Sequence, residues 1–391
     1  MLMKTIGLCC CYKHPNYGSQ LQSYATTVEM KKRGINCEVI RYKKKWTLKF
    51  MREAKVWTLP FNRVLLSDCF LAVKKKIFLE LHRDVKKQNE VRNRRFAEFS
   101  QSHFTNLSKL CHGHDELEAL GASYDGVFVG SDQLWSPSGI TGDFYNLMFV
   151  PDSVPKFSYA ASIGVSKLPK DKRKLYTTFL NRIDHISMRE NAGSKIVKEL
   201  TGRDVPVVVD PVMLLTKEEW EKEIPVKKVV DEPYIFAYFL GKSKENRSKI
   251  MELKEKTGLK IVTFHHMDCY NKADVGFGDC ALYDVGPEEF LNLIRNAEYV
   301  CTDSFHGSVF SLIHHKKLMI FNRYTDSSKV SKNSRIDSLS ANLGLEDRRF
   351  NGDNLLDILN EMDYASIDKK VEEMRTKSKQ FLDTALAFCE E

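Results

Sequence analysis

The stretch Cys301-Thr302-Asp303-Ser304-Phe305-His306-Gly307-Ser308 decides how the chain is read. Before it, Pro287 to Ala297 carries Phe290, Leu291 and Ile294 on one helical face, and Tyr299 to Cys301 reads as a short buried strand. Such a strand ends at the carboxyl edge of a parallel sheet, where open α/β folds place their ligands. Flanked by a small hydroxyl residue and a glycine, His306 can face a ligand there with little steric obstruction. A buried structural histidine is the other reading. Ile186-Ser187-Met188-Arg189-Glu190 ends a second apolar run. A fixed cation at one strand end and a titratable imidazole at another suggest a reaction on an anionic substrate.

Strands and helices alternate outward from this point. Lys4 to Cys11 is predicted as a strand, Gln20 to Arg33 as a helix stopped by Gly34, and Asn36 to Tyr42 as the next strand. This βαβ opening begins a parallel sheet. Tyr124 to Gly130, Lys156 to Ala161, Asp184 to Met188 and Val205 to Val209 continue the strands. After the charged stretch Lys217 to Glu232 the pattern restarts with a strand at Tyr234 to Phe239, a helix at Glu245 to Thr257 and a strand at Lys260 to Phe264. A helix from Ser308 to His314, a strand from Leu318 to Phe321 and a final helix from Tyr364 to Phe388 complete it. The expected fold is α/β, with two Rossmann-like lobes facing across a cleft: residues 1–216, residues 217–363, and a C-terminal helix over 364–391. No GxGxxG or P-loop occurs, so the phosphate signatures of dinucleotide and Walker-type binding are missing.

Charge is uneven. Tyr42 to Ser100 holds 16 Lys or Arg and six Asp or Glu, a local net of +10 in a chain of net +8. Trp46, Phe50, Trp57, Phe61, Phe70 and Leu71 interleave with these cations. The pattern suits a helix or loop on an anionic bilayer; a long helical insertion with its apolar side in the core and a solvated basic face is the plainer reading. Nucleic acid is not expected, because no helix-turn-helix, zinc finger or RNA-binding motif occurs. No run of about 18 apolar residues is present to span a membrane. The ten cysteines are spread out and include no CxxC pair, and Cys9-Cys10-Cys11 read as small strand residues. A reducing cytoplasm, with peripheral contact at the inner face of the cytoplasmic membrane, and no metal are expected.

Asn16-Tyr17-Gly18 with Leu21-Gln22, Gly130-Ser131-Asp132-Gln133-Leu134-Trp135, Ser187-Met188-Arg189-Glu190, Val209-Asp210-Pro211 and Asp303-Ser304-Phe305-His306-Gly307 occur in this order. Together they resemble the polysaccharide pyruvyl transferase family, over about Ile6 to Asn322. The resemblance implies a GT-B-like architecture with an acceptor-side N-terminal lobe and a donor-side C-terminal lobe. It also implies transfer of a pyruvyl group from phosphoenolpyruvate, as co-substrate, to a sugar diol of a polysaccharide or lipid-linked precursor. The product is a cyclic ketal, and no cofactor is implied. Family members often carry Arg-x-His where this chain has Ser304-Phe305-His306, so another cation must supply that charge.

The chemistry asks for what these residues offer. Arg189 presents a planar fork of donors to an oxyanion, and Arg335 is a second candidate. Ser304 and Gly307 complete the expected donor site. The enol must gain a proton on its methylene, and His306 is assigned to that proton traffic. Glu190 can orient Arg189, although neighbours on a strand face opposite ways. Asn16, Tyr17 and Gly18 form either a plain turn or a loop whose following helix N-terminus faces an anion or sugar. Ser131, Asp132 and Gln133 offer hydrogen bonds to sugar hydroxyls and Trp135 a stacking face, unless Asp132 caps the next segment. His265-His266 is a further strand-end candidate, whereas Asp210-Pro211 reads as a structural strand exit. A nucleotide-sugar glycosyltransferase and a non-catalytic glycan-binding protein are the rival functions.

Overall fold

The computed structural model describes residues 4–45, 73, 76–137, 144–266, 270–323 and 334–389. Two parallel sheets organise them. The first contains β1 (Thr5–Cys9), β2 (Asn36–Lys43), β3 (Leu107–His112), β4 (Gly126–Asp132), β5 (Lys156–Ala161) and β6 (His185–Met188), in the order β3-β2-β1-β4-β5-β6. The second contains β7 (Tyr234–Tyr238), β8 (Lys260–Phe264), β9 (Cys280–Leu282), β10 (Tyr299–Thr302) and β11 (Lys317–Ile320), in the order β11-β10-β7-β8-β9. The central strands are buried along almost their whole length, as parallel strands covered on both faces must be. In each sheet the chain builds outward from its first strand and then crosses to that strand's other side. The crossing leaves a switch point between β1 and β4 in one sheet and between β7 and β10 in the other, where the crevice beyond the strand ends accepts a ligand. The fold is thus α/β with two Rossmann-like lobes across a cleft, as the strand pattern predicted.

Several elements differ from the sequence reading for local reasons. Val205 to Val209 makes a single bridge, Val207 to Met188, in place of a strand. The edge strands β3 and β9 have no strong apolar run and were not expected. Within the charged stretch Lys217 to Glu232, α6 (Lys217–Glu223) is set by a capping box in which Thr216 and Glu219 each accept the other's backbone N–H. The helices before it are α1 (Tyr17–Lys32), α2 (Arg83–His103), α3 (His114–Gly121), α4 (Arg173–Asn181) and α5 (Asn191–Thr201). After it come α7 (Lys244–Thr257), α8 (Pro287–Asn296), α9 (Phe305–Ile313), α10 (Ser334–Leu343) and α11 (Tyr364–Leu386).

Much of the basic segment, including its Trp residues, Lys74 and Lys75, lies outside the described residues. Its C-terminal part is α2, which is no solvated appendage. α2 buries Val85, Phe96 and Phe99, and its Arg92 guanidinium donates to the carbonyls of His265 and Leu282 in the second lobe. Arg95 on the same helix pairs with Glu289. α11 ties the lobes a second time. Near its start the Tyr364 hydroxyl donates to the Lys316 carbonyl, and further along Arg375 Nε donates to the Met213 carbonyl and Ser378 Oγ accepts from Val209 N–H. One apolar core therefore runs through both lobes.

Candidate active site

Two helix N-termini, one from each lobe, meet at the cleft. Asn16 caps α1, its Oδ1 accepting from Ser19 N–H, and Ser304 caps α9, its Oγ accepting from Gly307 N–H. The sequence pattern begins these helices later, at Gln20 and Ser308. The caps start each helix three residues earlier, so Gly18 and His306 lie in first turns. The two turns pack so closely that a β-carbon on Gly18 would stand 2.0 Å from His306 Nδ1. Helix N-termini carry partial positive charge from unpaired N–H groups, which favours an anion between them.

Beneath His306 lies a buried ion network. His306 Nε2 sits 3.5 Å from Asp210 Oδ2, and the same oxygen accepts from Arg189 Nη1 at 2.5 Å. The other carboxylate oxygen of Asp210 accepts from Val212 N–H. Arg189 Nη2 reaches Asp132 Oδ1 at 3.3 Å, and Ser19 Oγ donates to Asp132 Oδ2 at 2.5 Å. Burial alone would raise the Asp210 pKa, but His306 and Arg189 hold it down at about 2. Asp132 is likewise held well below the carboxylate range, against its burial, by Arg189, His306 and Arg335. Both remain anions at neutral pH.

Above this network a cavity of about 280 Å³ opens at both switch points. Cys11, His14, Asn16, Ser19, Asp132 and Gln133 line it from the first lobe; Tyr238, Asp303, Ser304, His306, Arg323 and Arg335 line it from the second. The Arg335 guanidinium lies 5.6 Å over the Phe305 ring, and its Nε has no hydrogen-bond partner among the described residues. Burial lowers the Arg335 pKa to about 10, which still leaves it cationic at neutral pH. Burial also pushes the Cys11 thiol up to about 12, so that group is neutral.

Of the residues singled out in the sequence, the structure brings Asn16, Asp132, Gln133, Ser304, His306 and Arg335 to the cavity. Others it places elsewhere. Arg189 is 1% exposed, under the cavity floor and balanced by two carboxylates, so its fork is already occupied. Tyr17 is fully buried between the lobes, stacked on Phe290 at 4.7 Å with its hydroxyl donating to the Val285 carbonyl. Trp135 is core, edge-on to Phe179, and its Nε1 donates to the Tyr145 carbonyl. Ser131 is buried and donates to the Ala160 carbonyl. Gly307 gives its N–H to Ser304, and a side chain there would strike Thr302, so it serves packing. Glu190 does not orient Arg189; its Oε1 accepts from Ser162 Oγ and the backbone N–H groups of Ile163 and Gly164. His265 is engaged with the Phe277 carbonyl and His266 with Asp274, away from the cavity.

Asp210, read as a strand exit, is instead the hub of the network. His14, Ser19 and Arg323 were also missed. Arg323 lies three residues past β11, at the same carboxyl edge as His306, and the strand-end rule that found His306 would have found it.

A model of the family described as polysaccharide pyruvyl transferase matches residues 16–323. The chain belongs to the polysaccharide pyruvyl transferase family. The matched span begins at the α1 cap and ends at Arg323, so it contains every cavity residue named above except Cys11, His14 and Arg335. Among solved structures, a putative UDP-N-acetylglucosamine 2-epimerase from Listeria monocytogenes is similar at TM-score 0.54 and 10% identity, over 100% of this chain and 97% of that one. The S. aureus MnaA–UDP co-structure is similar at TM-score 0.51 and 12% identity, over 100% and 98%. At such identities the likeness concerns the GT-B-like fold. No curated protein matches the chain.

Proposed function

We propose that this pyruvyl transferase family member moves the pyruvyl group of phosphoenolpyruvate onto two hydroxyls of a sugar in a polysaccharide or its lipid-linked precursor. The observation that carries the reading is one cavity in which an imidazole backed by a buried carboxylate faces two arginines. Arg323 and Arg335, with the N-terminus of α9, suit the phosphate and carboxylate of the donor. They would supply the charge that the motif Ser304-Phe305-His306 lacks. Asp132, Gln133 and Asn16 suit sugar hydroxyls on the opposite wall.

The proton balance fits a single relay. The donor methylene gains a proton, which leaves an oxocarbenium-like carbon. One hydroxyl attacks it, the second closes the ketal as phosphate leaves, and the two hydroxyls together release two protons. One replaces the proton given to the methylene and the other departs with phosphate. An imidazole at the cavity wall, with Nε2 facing Asp210, can give and take protons, a role worth about 10²–10⁴-fold in rate. No resident cofactor enters this scheme.

The test is incubation with phosphoenolpyruvate and a panel of free and lipid-linked glycosides. Phosphate release that requires both substrates, with a product mass matching a pyruvyl ketal, is expected. Consumption of a nucleotide sugar with nucleotide release would make the chain a glycosyltransferase instead, and glycan binding without turnover of either donor would make it a binding protein.

A further inference from the structure

Three neighbouring strand ends build the cavity wall that the second lobe provides. In the order β11-β10-β7, Arg323 lies three residues past β11, Asp303 directly follows β10, and Leu240 and Gly241 follow β7. Asp303 lines the cavity yet is 3% exposed, and both of its carboxylate oxygens are engaged. Oδ1 accepts from Leu240 N–H at 2.8 Å, and Oδ2 accepts from Gly241 N–H at 2.7 Å. Accepting at both oxygens is the pattern of an ionised carboxylate. Burial raises the Asp303 pKa, and the two N–H groups and the Arg323 charge oppose that rise. Arg323 in turn packs against Gly241. A β-carbon on Gly241 would stand 2.7 Å from Asp303 Oδ2, 3.2 Å from the Arg323 carbonyl oxygen and 3.4 Å from Arg323 Cγ. The turn is also pinned through its carbonyl. Gly241 O accepts from Arg247 Nη2 and from Asn271 Nδ2, both at 3.1 Å, and Arg247 is paired with buried Asp274 at 2.5 Å.

We propose that Asp303 is a positioning residue, which holds the Leu240–Gly241 turn so that Arg323 is presented to a phosphate group in the cavity. Resting on the functional reading above, Arg323 is a group that receives the donor phosphate. Its cation comes from the strand beside His306, because Ser304 stands where family members often carry arginine, and a long side chain from a neighbouring strand needs its own support. Like charge makes the need greater. Burial, and then the charges of Arg189 and Arg323, depress the Arg335 pKa, so Arg323 and Arg335 repel each other across one cavity. A restrained backbone under Arg323 keeps it in place before the anion arrives and lowers the ordering cost of binding. The segment Asp303-Ser304-Phe305-His306 thereby serves two ends, with the imidazole at one and the anchor of the anion site at the other.

The experiment is calorimetric titration of the full chain with inorganic phosphate, for wild type, Asp303→Asn, Arg323→Gln and the double variant. Positioning and plain charge predict opposite signs. A carboxylate that only faced the cavity would repel phosphate, and its removal would tighten binding. Asparagine instead offers one acceptor oxygen to two N–H groups, so the turn loosens and phosphate should bind about tenfold more weakly. Arg323→Gln should lose at least as much. The double variant should match Arg323→Gln within about twofold, since Asp303 acts through a side chain that is no longer there. With phosphoenolpyruvate, the Asp303→Asn loss should fall on KM more than on kcat. Gly241→Ala tests the same relationship if Asp303→Asn does not fold. Its β-carbon would press on Asp303 and on the Arg323 carbonyl, so phosphate binding should weaken there too. Unchanged or tighter binding in folded Asp303→Asn or Gly241→Ala, additive losses in the double variant, or no phosphate binding by wild type would overturn the proposal. The expected losses without turnover of phosphoenolpyruvate would remove the functional reading and leave Asp303 in this role.

Discussion

The His306 imidazole lies directly against the α-carbon of Gly18, with no room for a side chain between them. This contact joins the first turns of α1 and α9 and fixes the ring between the lobes. Gly18 is needed here for space, not for an unusual backbone angle, since alanine in a helix is favoured by about 0.5–1 kcal/mol over glycine. Gly18→Ala should therefore displace the imidazole while α1 persists. Turnover is expected to fall by about 10²-fold or more, with a stability loss inside the roughly 1–3 kcal/mol typical of overpacking. Rates within about twofold of wild type in the folded variant would show that the ring is not required where it lies.

Asp210→Asn isolates charge from shape. The amide keeps an acceptor for Val212 N–H but removes the anion that faces His306 and Arg189. Turnover should drop by about 10²–10⁴-fold, with the KM for phosphoenolpyruvate little changed. Acid unfolding gives an independent readout. The folded pKa of about 2 lies below the unfolded one, which is about 3.9. The Asp210 contribution is thus complete above about pH 4 and lost as pH falls through about 2. The Asn variant has no such contribution to lose, so its stability should fall less steeply across that window. Parallel acid profiles would remove Asp210 from the network.

Arg189 and Arg335 should separate by phenotype. Removing one partner of a buried ion pair typically costs about 3–5 kcal/mol, so Arg189→Gln should lower Tm strongly by stranding Asp210. Arg335→Gln should leave Tm near wild type and raise the KM for phosphoenolpyruvate about tenfold or more, the worth of a charge-assisted contact. Wild-type donor kinetics in Arg335→Gln, with donor binding lost in a folded Arg189 variant, would reverse the two assignments.

The alternation of apolar runs and helical stripes made the two parallel sheets legible, and the strand-end rule found His306. What escaped was the consequence of distant pairing. Tyr17 and Trp135 look accessible beside polar neighbours, but Tyr17 is covered by Phe290 and bonded to Val285, 268 residues away. Asp210 is fully explained locally by its cap on Val212, and only its second oxygen shows its partners in Arg189 and His306. Arg189 likewise reads as a free fork until the fold brings both carboxylates to it. Asn16 and Ser304 carried a usable local signal, since each sits three residues before the N–H it caps, and that signal would have started both helices correctly.

α9 carries His306 in its first turn, and His314 is its C-terminal cap. His314 is 6% exposed, and Arg295 Nε donates to its Nε2 at 3.3 Å. Burial first, then the Arg295 charge, depresses its pKa to about 2. In the unfolded chain the value is about 6.5. Between those values the unfolded chain takes up a proton that the folded chain refuses. Stability should therefore fall as pH drops below about 6.5, by up to about 1.4 kcal/mol per pH unit from this group. His314→Gln retains an acceptor for Arg295 and cannot titrate. Urea unfolding at pH 6.5 and pH 5 should show wild type losing about 1.6 kcal/mol more than the variant over that interval. Activity of the variant at pH 5 should survive heating better than that of wild type, because α9 stays seated with His306 at the cleft. Equal losses for the two proteins would mean that His314 accepts its proton in the folded state.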